Sequence, residues 1–203
     1  KNNLTFKPGA AFFLEEFLER DVIQGEGRAY GVEFSIKKSS GKVNGWLNYT
    51  WSRSLLRSDN ENLGDRINNN NWYASDFDRP HVVNSTINFE GDKYNTWSFN
   101  FTGQTGSPYP IFIERNNARL RPYHRLDFSW NIKYGEKVNK RWIGDWTFTI
   151  YNVYSRRNPF NIYYSQRQPG VDADVFLGSP LGSYELSILN SPLFALTYNF
   201  VFQ

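Results

Sequence analysis

The sequence of 203 residues predicts an all-β chain, a transmembrane antiparallel β-barrel, on three observations. Apolar and polar residues alternate with period 2 in seven segments, the apolar positions are mostly aromatic, and the connections between segments alternate between short and long. Successive side chains of a strand point to opposite faces, so this alternation gives each strand one apolar and one polar side. A soluble antiparallel sheet alternates in the same way, but with strands of about 5 to 6 residues and a more aliphatic face. Strands of about 9 to 11 residues, short turns at one end, longer loops at the other and aromatic girdles are the pattern of a membrane barrel.

The first strand sets Tyr30, Val32, Phe34 and Ile36 against Gly31, Glu33, Ser35 and Lys37. After Ser39-Ser40-Gly41 the chain reverses, and Val43, Leu47, Tyr49 and Trp51 oppose Asn44, Asn48, Thr50 and Ser52, with Trp46 alone breaking the polar face. The third places Val83, Ile87 and Phe89 against Asn84, Thr86, Asn88 and Glu90, and turns at Gly91-Asp92. The fourth places Trp97, Phe99 and Phe101 against Thr96, Ser98, Asn100 and Thr102 and runs into the breakers Gly106-Ser107-Pro108. In the fifth, Leu126, Phe128, Trp130, Ile132 and Tyr134 oppose Arg125, Asp127, Ser129, Asn131 and Lys133. The sixth pairs Trp146, Phe148 and Ile150 with Asp145, Thr147 and Thr149, and the last pairs Phe194, Leu196, Tyr198, Phe200 and Phe202 with Ala195, Thr197 and Asn199. Short connections fall near Ser39, Gly91 and Glu136. The long ones, near 55–78, 106–122 and 155–191, are rich in Asn, Pro, Gly, Arg and Tyr and read as external loops. Residues 1–28 read as a further external loop region, with one short helical stripe at Phe12–Leu18.

Composition narrows the function. The longest apolar run, Ala10–Leu14, is five residues, against the roughly 18 to 20 that a membrane helix needs. Without cysteine there is no disulfide framework, thiolate metal site or cysteine nucleophile. Two histidines in different segments, His81 and His124, make a poor basis for a metal site or a Ser-His-Asp relay, and they read as caps of strand ends. No nucleophile stands beside a base, so no catalysis and no cofactor is expected. The net charge of +3 comes from scattered basic residues, which argues against nucleic acid as a partner.

Seven strands cannot close alone, because single-chain bacterial barrels generally hold an even number. With the short turns on the periplasmic side, the last strand ends there as well, so further strands are expected upstream. An eighth strand within Asn3–Phe17 is disfavoured by Pro8-Gly9 and the Glu15-Glu16 pair. A chain with neither methionine nor a visible signal peptide is expected to begin after a cleavage or to be part of a longer polypeptide.

Several blocks carry a family resemblance: Phe6–Ala10, Gly25–Glu33, Gly41–Ser52, Asp78-Arg79-Pro80-His81, Gly103–Pro108, Tyr123-His124-Arg125-Leu126-Asp127, Tyr151–Phe160 and the terminal Leu196–Phe202. In order and spacing they resemble the C-terminal end of an outer-membrane TonB-dependent receptor, of the SusC-like type with a carboxypeptidase-regulatory-like N-terminal domain. The resemblance implies the last seven strands of a barrel of about 22 strands, plugged by an N-terminal domain, in the bacterial outer membrane. It implies import of a scarce nutrient (an oligosaccharide, peptide or metal chelate) driven by the inner-membrane proton motive force through TonB. Further partners so implied are the lipid bilayer, a surface lipoprotein lid and the barrel-assembly machinery, which would read Tyr198, Phe200 and Phe202. Gln203 departs from the aromatic terminus typical of the family. A receptor-like barrel with a docking role in a larger envelope complex, and a small self-contained barrel serving as adhesin or enzyme, are the alternatives.

Within this frame Glu33, Arg125, Asp127 and Lys133 face the lumen, where ion pairing and packing are the simpler role and a substrate path the sharper one. Asn70, Trp72 and Tyr73, within the run Asn68–Tyr73, are external-loop ligand candidates; a solvated loop over the barrel mouth is the plainer reading. Asp76 and Asp78 have a hard-cation spacing but lack the glycine turn and terminal glutamate of a calcium loop. Tyr30, Trp51, Trp97, Trp130, Trp142 and Trp146 read as interfacial anchors.

Overall fold

A computed structural model describes residues 2–7, 17–58, 60–62, 66–111, 114–133, 142–165 and 182–202. The fold is all-β. Its strands are β1 (Asn2–Phe6), β2 (Val22–Lys38), β3 (Val43–Ser58), β4 (Tyr73–Ala74), β5 (His81–Glu90), β6 (Asn95–Gln104), β7 (Pro108–Ile111), β8 (Glu114–Arg119), β9 (Tyr123–Lys133), β10 (Trp142–Tyr151), β11 (Pro159–Ser165), β12 (Gly182–Ser187) and β13 (Leu193–Phe202). One sheet runs β1-β2-β3-β5-β6-β9-β10-β13, with β4 on β3; β7–β8 and β11–β12 are separate two-stranded sheets. The registers are antiparallel, for example Phe99↔Phe128 between β6 and β9 and Phe148↔Leu196 between β10 and β13.

The seven alternating segments are β2, β3, β5, β6, β9, β10 and β13. Two readings of the sequence need correction. Residues 1–28 are not one external loop, and the disfavoured eighth strand is in part present: Asn2–Phe6 pairs with β2 in the register Asn2↔Glu26 to Phe6↔Val22, and β2 starts at Val22. The alternation is hidden there because Gly25 and Gly27 carry no side chain. Gly25 is also where the strands approach closely, since a Cβ on it would lie 2.5 Å from the Arg57 carbonyl oxygen. Second, the long connections hold structure of their own. β3 runs to Ser58, β4 follows it, and β7–β8 and β11–β12 form within the other two. Most of the expected helical stripe Phe12–Leu18 lies outside the described residues; Leu18–Asp21 is a single 3-10 turn. Pro8-Gly9, Glu15-Glu16, Tyr134 and the turn near Glu136 lie outside the described residues.

The break at Trp46 follows Gly45, whose φ is 153°. A Cβ at Gly45 would stand 2.1 Å from the Thr86 carbonyl oxygen, so the strand passes its neighbour there only without a side chain.

The chain divides into two compact units, residues 1–32, 51–81 and 105–121, and residues 33–50, 82–104 and 122–203. The first has an apolar core of Ile23, Ile67 and Tyr73 packed with Leu56. In the second, the buried described residues are Asp127, Asn152, Asn158 and Pro159, and no aliphatic or aromatic side chain among the described residues is fully buried. Its large apolar groups lie open: Phe34 is 55% exposed, Phe194 64% and Leu196 66%. Rings meet across strands on this face, Phe99 tilted against Phe128 at 5.3 Å and edge-to-face with Phe89 at 6.0 Å. The polar positions hydrogen-bond across strands instead. Ser98 donates to Asn88 at 2.7 Å, Asn88 to Asn44 at 3.0 Å and Asn44 to Glu90 at 2.9 Å. Asn131 donates to Asp145 at 2.7 Å and Thr147 at 2.8 Å, and Thr86 to Asn100 at 2.8 Å.

The β5–β6 turn is tied by Asp92, whose Oδ1 accepts the N–H groups of Tyr94 at 2.7 Å and Asn95 at 2.8 Å. The Tyr94 N–H first, and then the Asn95 amide, hold its carboxyl below the usual aspartate range. A folded-state value below the unfolded one stabilises the turn at neutral pH, and the contribution is lost as pH falls through the folded value. Amide exchange at Tyr94 and Asn95, corrected for intrinsic rate, is therefore expected to accelerate on acidification and to be fast at every pH in Asp92→Ala. A wild-type turn whose protection does not change with pH would count against this role.

Candidate functional site

The long connections of the first unit converge on one buried carboxylate. Asp78 follows the turn after β4, its side chain fully shielded. Its Oδ1 accepts the Ser54 N–H at 2.6 Å and Arg53 Nε at 3.3 Å, and its Oδ2 pairs with Arg119 Nη2. Arg119 Nη1 also donates to the Asp78 carbonyl at 2.7 Å and the Gly106 carbonyl at 3.2 Å. A buried charge persists only when paired and hydrogen-bonded, and the planar guanidinium supplies several donors in a fixed fork. The ion pair thus fastens the β7–β8 hairpin to the end of β4 and to β3.

The same hairpin reaches further. Asn116, buried with φ 55°, donates to the Ala74 carbonyl at 2.9 Å and to Asp76 at 2.7 Å. Arg115 donates to Thr5 Oγ1 at 2.7 Å and to the Phe6 carbonyl at 3.3 Å. The Arg115 main chain exchanges two hydrogen bonds with the Asn68 amide, at 2.7 and 2.8 Å.

Asn68, Asn69 and Asn70 take φ values of 49°, 54° and 60°, three successive left-handed residues. Asparagine tolerates this region best after glycine because its short amide bonds locally. Asn70 donates to the Asn60 carbonyl at 3.0 Å and accepts from Ser58 at 3.2 Å. Trp72 leaves this turn with two guanidinium groups over its ring, Arg28 at 4.1 Å and Arg57 at 5.2 Å from the centroid. Arg57 is in turn paired with Glu26 at 2.9 Å.

The three loop candidates therefore have different places. Trp72 is half-buried with cations on its ring, and Asn70 is a structural amide of the turn. Tyr73 is buried in the apolar core and so does not face outward, which corrects its reading as a ligand contact. Burial pushes the Tyr73 hydroxyl up from the usual tyrosine value, against the pull of nearby Arg115. Of the metal-spaced pair, Asp76 bonds Asn116 and Asp78 bonds arginines. Among the described residues no group of three or more His, Asp or Glu converges as around a metal ion.

In the second unit Arg125 and Asp127 meet, Nη2 to Oδ2 at 2.9 Å. The other oxygen of Asp127 accepts the Asn152 N–H at 2.9 Å, which anchors the turn after β10. Arg156 and Asn158 continue this turn, and Asn158 brackets the main chain of His124 at 3.0 and 2.9 Å. His124 Nδ1 lies 2.8 Å from the Tyr154 hydroxyl. Glu33 is exposed on β2, and Lys133 stands in register with Asp145 across β9 and β10; neither joins the Arg125–Asp127 pair. At the terminus, Tyr198 stacks on Trp146 at 4.6 Å and Phe200 on Tyr198 at 6.0 Å, while the Phe202 and Trp142 side chains lie outside the described residues.

The sequence reading passed over Arg28, Arg57, Arg115 and Arg119. Their density in the long connections was the available signal, but their partners are remote in sequence. No protein-family model, curated protein or solved structure matches this chain. Chemically, the site offers amides, guanidinium groups and one aromatic face, which suits hydrogen bonding and stacking rather than proton transfer.

Removing the shared carboxylate leaves two partly buried arginines uncompensated. Asp78→Ala is expected to cost about 3 kcal/mol of local stability. Exchange of the Ser54 amide, which donates to Asp78 at 2.6 Å, should rise correspondingly. An unchanged Ser54 amide would show that the carboxylate does not hold the loops.

Proposed function

We propose that this chain is the C-terminal part of the barrel of an outer-membrane TonB-dependent receptor that imports a scarce nutrient. The observation that carries the reading is the sheet of the second unit: polar side chains bond one another on one side and large aromatic and aliphatic ones lie open on the other, with no apolar core among the described residues. In water each large apolar side chain left open forgoes about 1.5 to 3 kcal/mol of burial. In lipid that face is already in its preferred medium, and the strands' main-chain groups are satisfied by one another.

In this reading the outward partner is the bilayer, and Tyr30, Trp51, Trp97, Trp130 and Trp146 sit toward its interfaces. Arg125 and Asp127 brace the lumen wall, with Glu33 and Lys133 on the same polar side. The arginine-fastened connections with Trp72 form part of the external mouth, where an oligosaccharide, peptide or chelate meets hydrogen-bonding and stacking groups. The plug, the TonB contact and a lipoprotein lid belong to other parts of the assembly, and the assembly machinery reads the aromatic β13.

Two outcomes test the proposal. Bromine on the acyl chains of vesicle lipids is expected to quench the tryptophan fluorescence of the reconstituted protein strongly, while aqueous acrylamide quenches it weakly. Quenching by acrylamide alone would sink the membrane reading. In addition, the denatured polypeptide carrying this sequence should have a mass about three or more times 23.8 kDa, as a barrel of about 22 strands and a plug requires. A mass close to that of this segment would overturn the receptor assignment.

A further inference from the structure

The two basic residue types are distributed differently along the chain. The long connections carry arginine, whereas Lys37, Lys38, Lys42, Lys93 and Lys133 stand at the short turns and the strand ends beside them. All five are exposed and belong to the second unit. Main-chain bonds hold these places side by side along one end of the sheet. The Glu90 N–H donates to the Lys42 carbonyl at 2.8 Å, and the Lys133 N–H to the Tyr94 carbonyl at 2.7 Å.

Within the row, Lys38 continues the apolar alternation of Val32, Phe34 and Ile36. Lys42 lies in the turn before β3, and Lys93 Nζ rests 4.7 Å from the centroid of the Tyr94 ring. Lys37 and Lys133 follow the polar alternation at the same end. Of the described acids there, Glu90 is engaged by Asn44, and Asp92 by the Tyr94 and Asn95 amides, with a weaker electrostatic interaction with Lys93. Among the described residues none of the five lysines forms an ion pair with a carboxylate. Directly inward from the row stand open apolar groups: Ile36, Val43, Phe89, Tyr94 and Trp97.

We propose that Lys38, Lys42 and Lys93 form a docking strip for anionic phospholipid headgroups in the leaflet that the short turns face. The inference rests on the membrane reading above and adds a lipid class to it. A four-carbon stem covers apolar surface while its ammonium reaches the phosphate plane, the behaviour of lysine at a bilayer edge. Charge complementarity selects the headgroup. A choline headgroup offsets its own phosphate, whereas a glycerol headgroup leaves the phosphate charge for the ammonium groups. The continuous apolar border distinguishes this strip from a basic patch for a soluble polyanion, which would need no apolar groups beside it.

The test uses the whole receptor polypeptide inserted in phosphatidylcholine vesicles doped with brominated phosphatidylglycerol or brominated phosphatidylcholine. Quenching by the two dopants gives their relative association at the protein surface. The wild type is expected to favour phosphatidylglycerol at least about fivefold at low salt, the share of a single lysine near the headgroups, and to lose the preference at high salt. Lys38→Gln/Lys42→Gln/Lys93→Gln should insert equally well, as brominated phosphatidylcholine reports, with a ratio near one; the single substitutions should each remove part of the preference. Insertion without preference, or a preference that survives the triple substitution, overturns the docking strip and leaves the membrane reading standing. Failure of the wild type to insert in either mixture overturns both.

Discussion

Main-chain pairing across β5, β6, β9, β10 and β13 is what the remaining structure depends on. Continuous registers such as Val82↔Gln104 to Glu90↔Thr96 and Trp142↔Phe202 to Tyr151↔Leu193 satisfy the N–H and C=O groups of these strands within the sheet. Once the backbone needs nothing from its surroundings, the side chains are free to sort by face, and they sort against the usual order. Amides and hydroxyls bond one another on one side, while phenyl and indole rings lie open on the other. A sheet that had to hide its rings beneath a second layer would require an apolar core, and among the described residues of the second unit there is none. The polar ladder does the work that a core does elsewhere. Each amide bonded across strands fixes the register, because a slip of one residue would put phenyl rings among the amides.

The first unit solves a different problem. Its connections are too long to be held by turn geometry, and their polar composition leaves a small apolar core of Ile23, Ile67 and Tyr73, with Leu55, Ala74 and Leu120 also buried. Charge-assisted bonds converging on few acceptors replace the missing packing. Asp78 gathers two arginines and a main-chain N–H, and the β7–β8 hairpin supplies Arg115, Asn116 and Arg119 to three different partners. Arginine suits this role better than lysine because one planar group can serve a carboxylate and a carbonyl together, as Arg119 does. The residue type at each place follows from this: arginine where loops must be fastened, lysine where strands end in short turns.

Much of this was legible in the sequence, for a definite reason. Period 2 is a local signal, and every strand that shows it in the described residues is present. What escaped was nonlocal or carried by backbone alone. β1 pairs with the stretch of β2 around Gly25 and Gly27, where absent side chains leave no pattern to read. β7, β8, β11 and β12 lie in segments whose composition reads as loop, and two-stranded pairs need neither long alternation nor an apolar face. At the site, Trp72 was found because aromatic residues beside asparagines stand out, but the guanidinium groups on its ring come from β2 and β3. Tyr73 looked equivalent to Trp72 one residue away. Tyr73 opens β4 and is buried with Ala74, whereas Trp72 stands just before the strand and meets the guanidinium groups instead.

The left-handed asparagine turn ties several remote segments of the first unit together. Each non-glycine residue in that region costs roughly 1 to 2 kcal/mol, and Asn68, Asn69 and Asn70 adopt it in succession. Such a turn persists only where its surroundings over-determine it. The bonds that do so come from separate places: Ser58 at the end of β3, the Asn60 carbonyl, and the Arg115 main chain in β8. Loosening any one of them lets the turn relax toward ordinary backbone and carries Trp72 away from the Arg28 guanidinium 4.1 Å from its ring. The position of one aromatic side chain is thus made conditional on several remote segments being folded at once. A connection that only had to join two strands would gain nothing from this dependence.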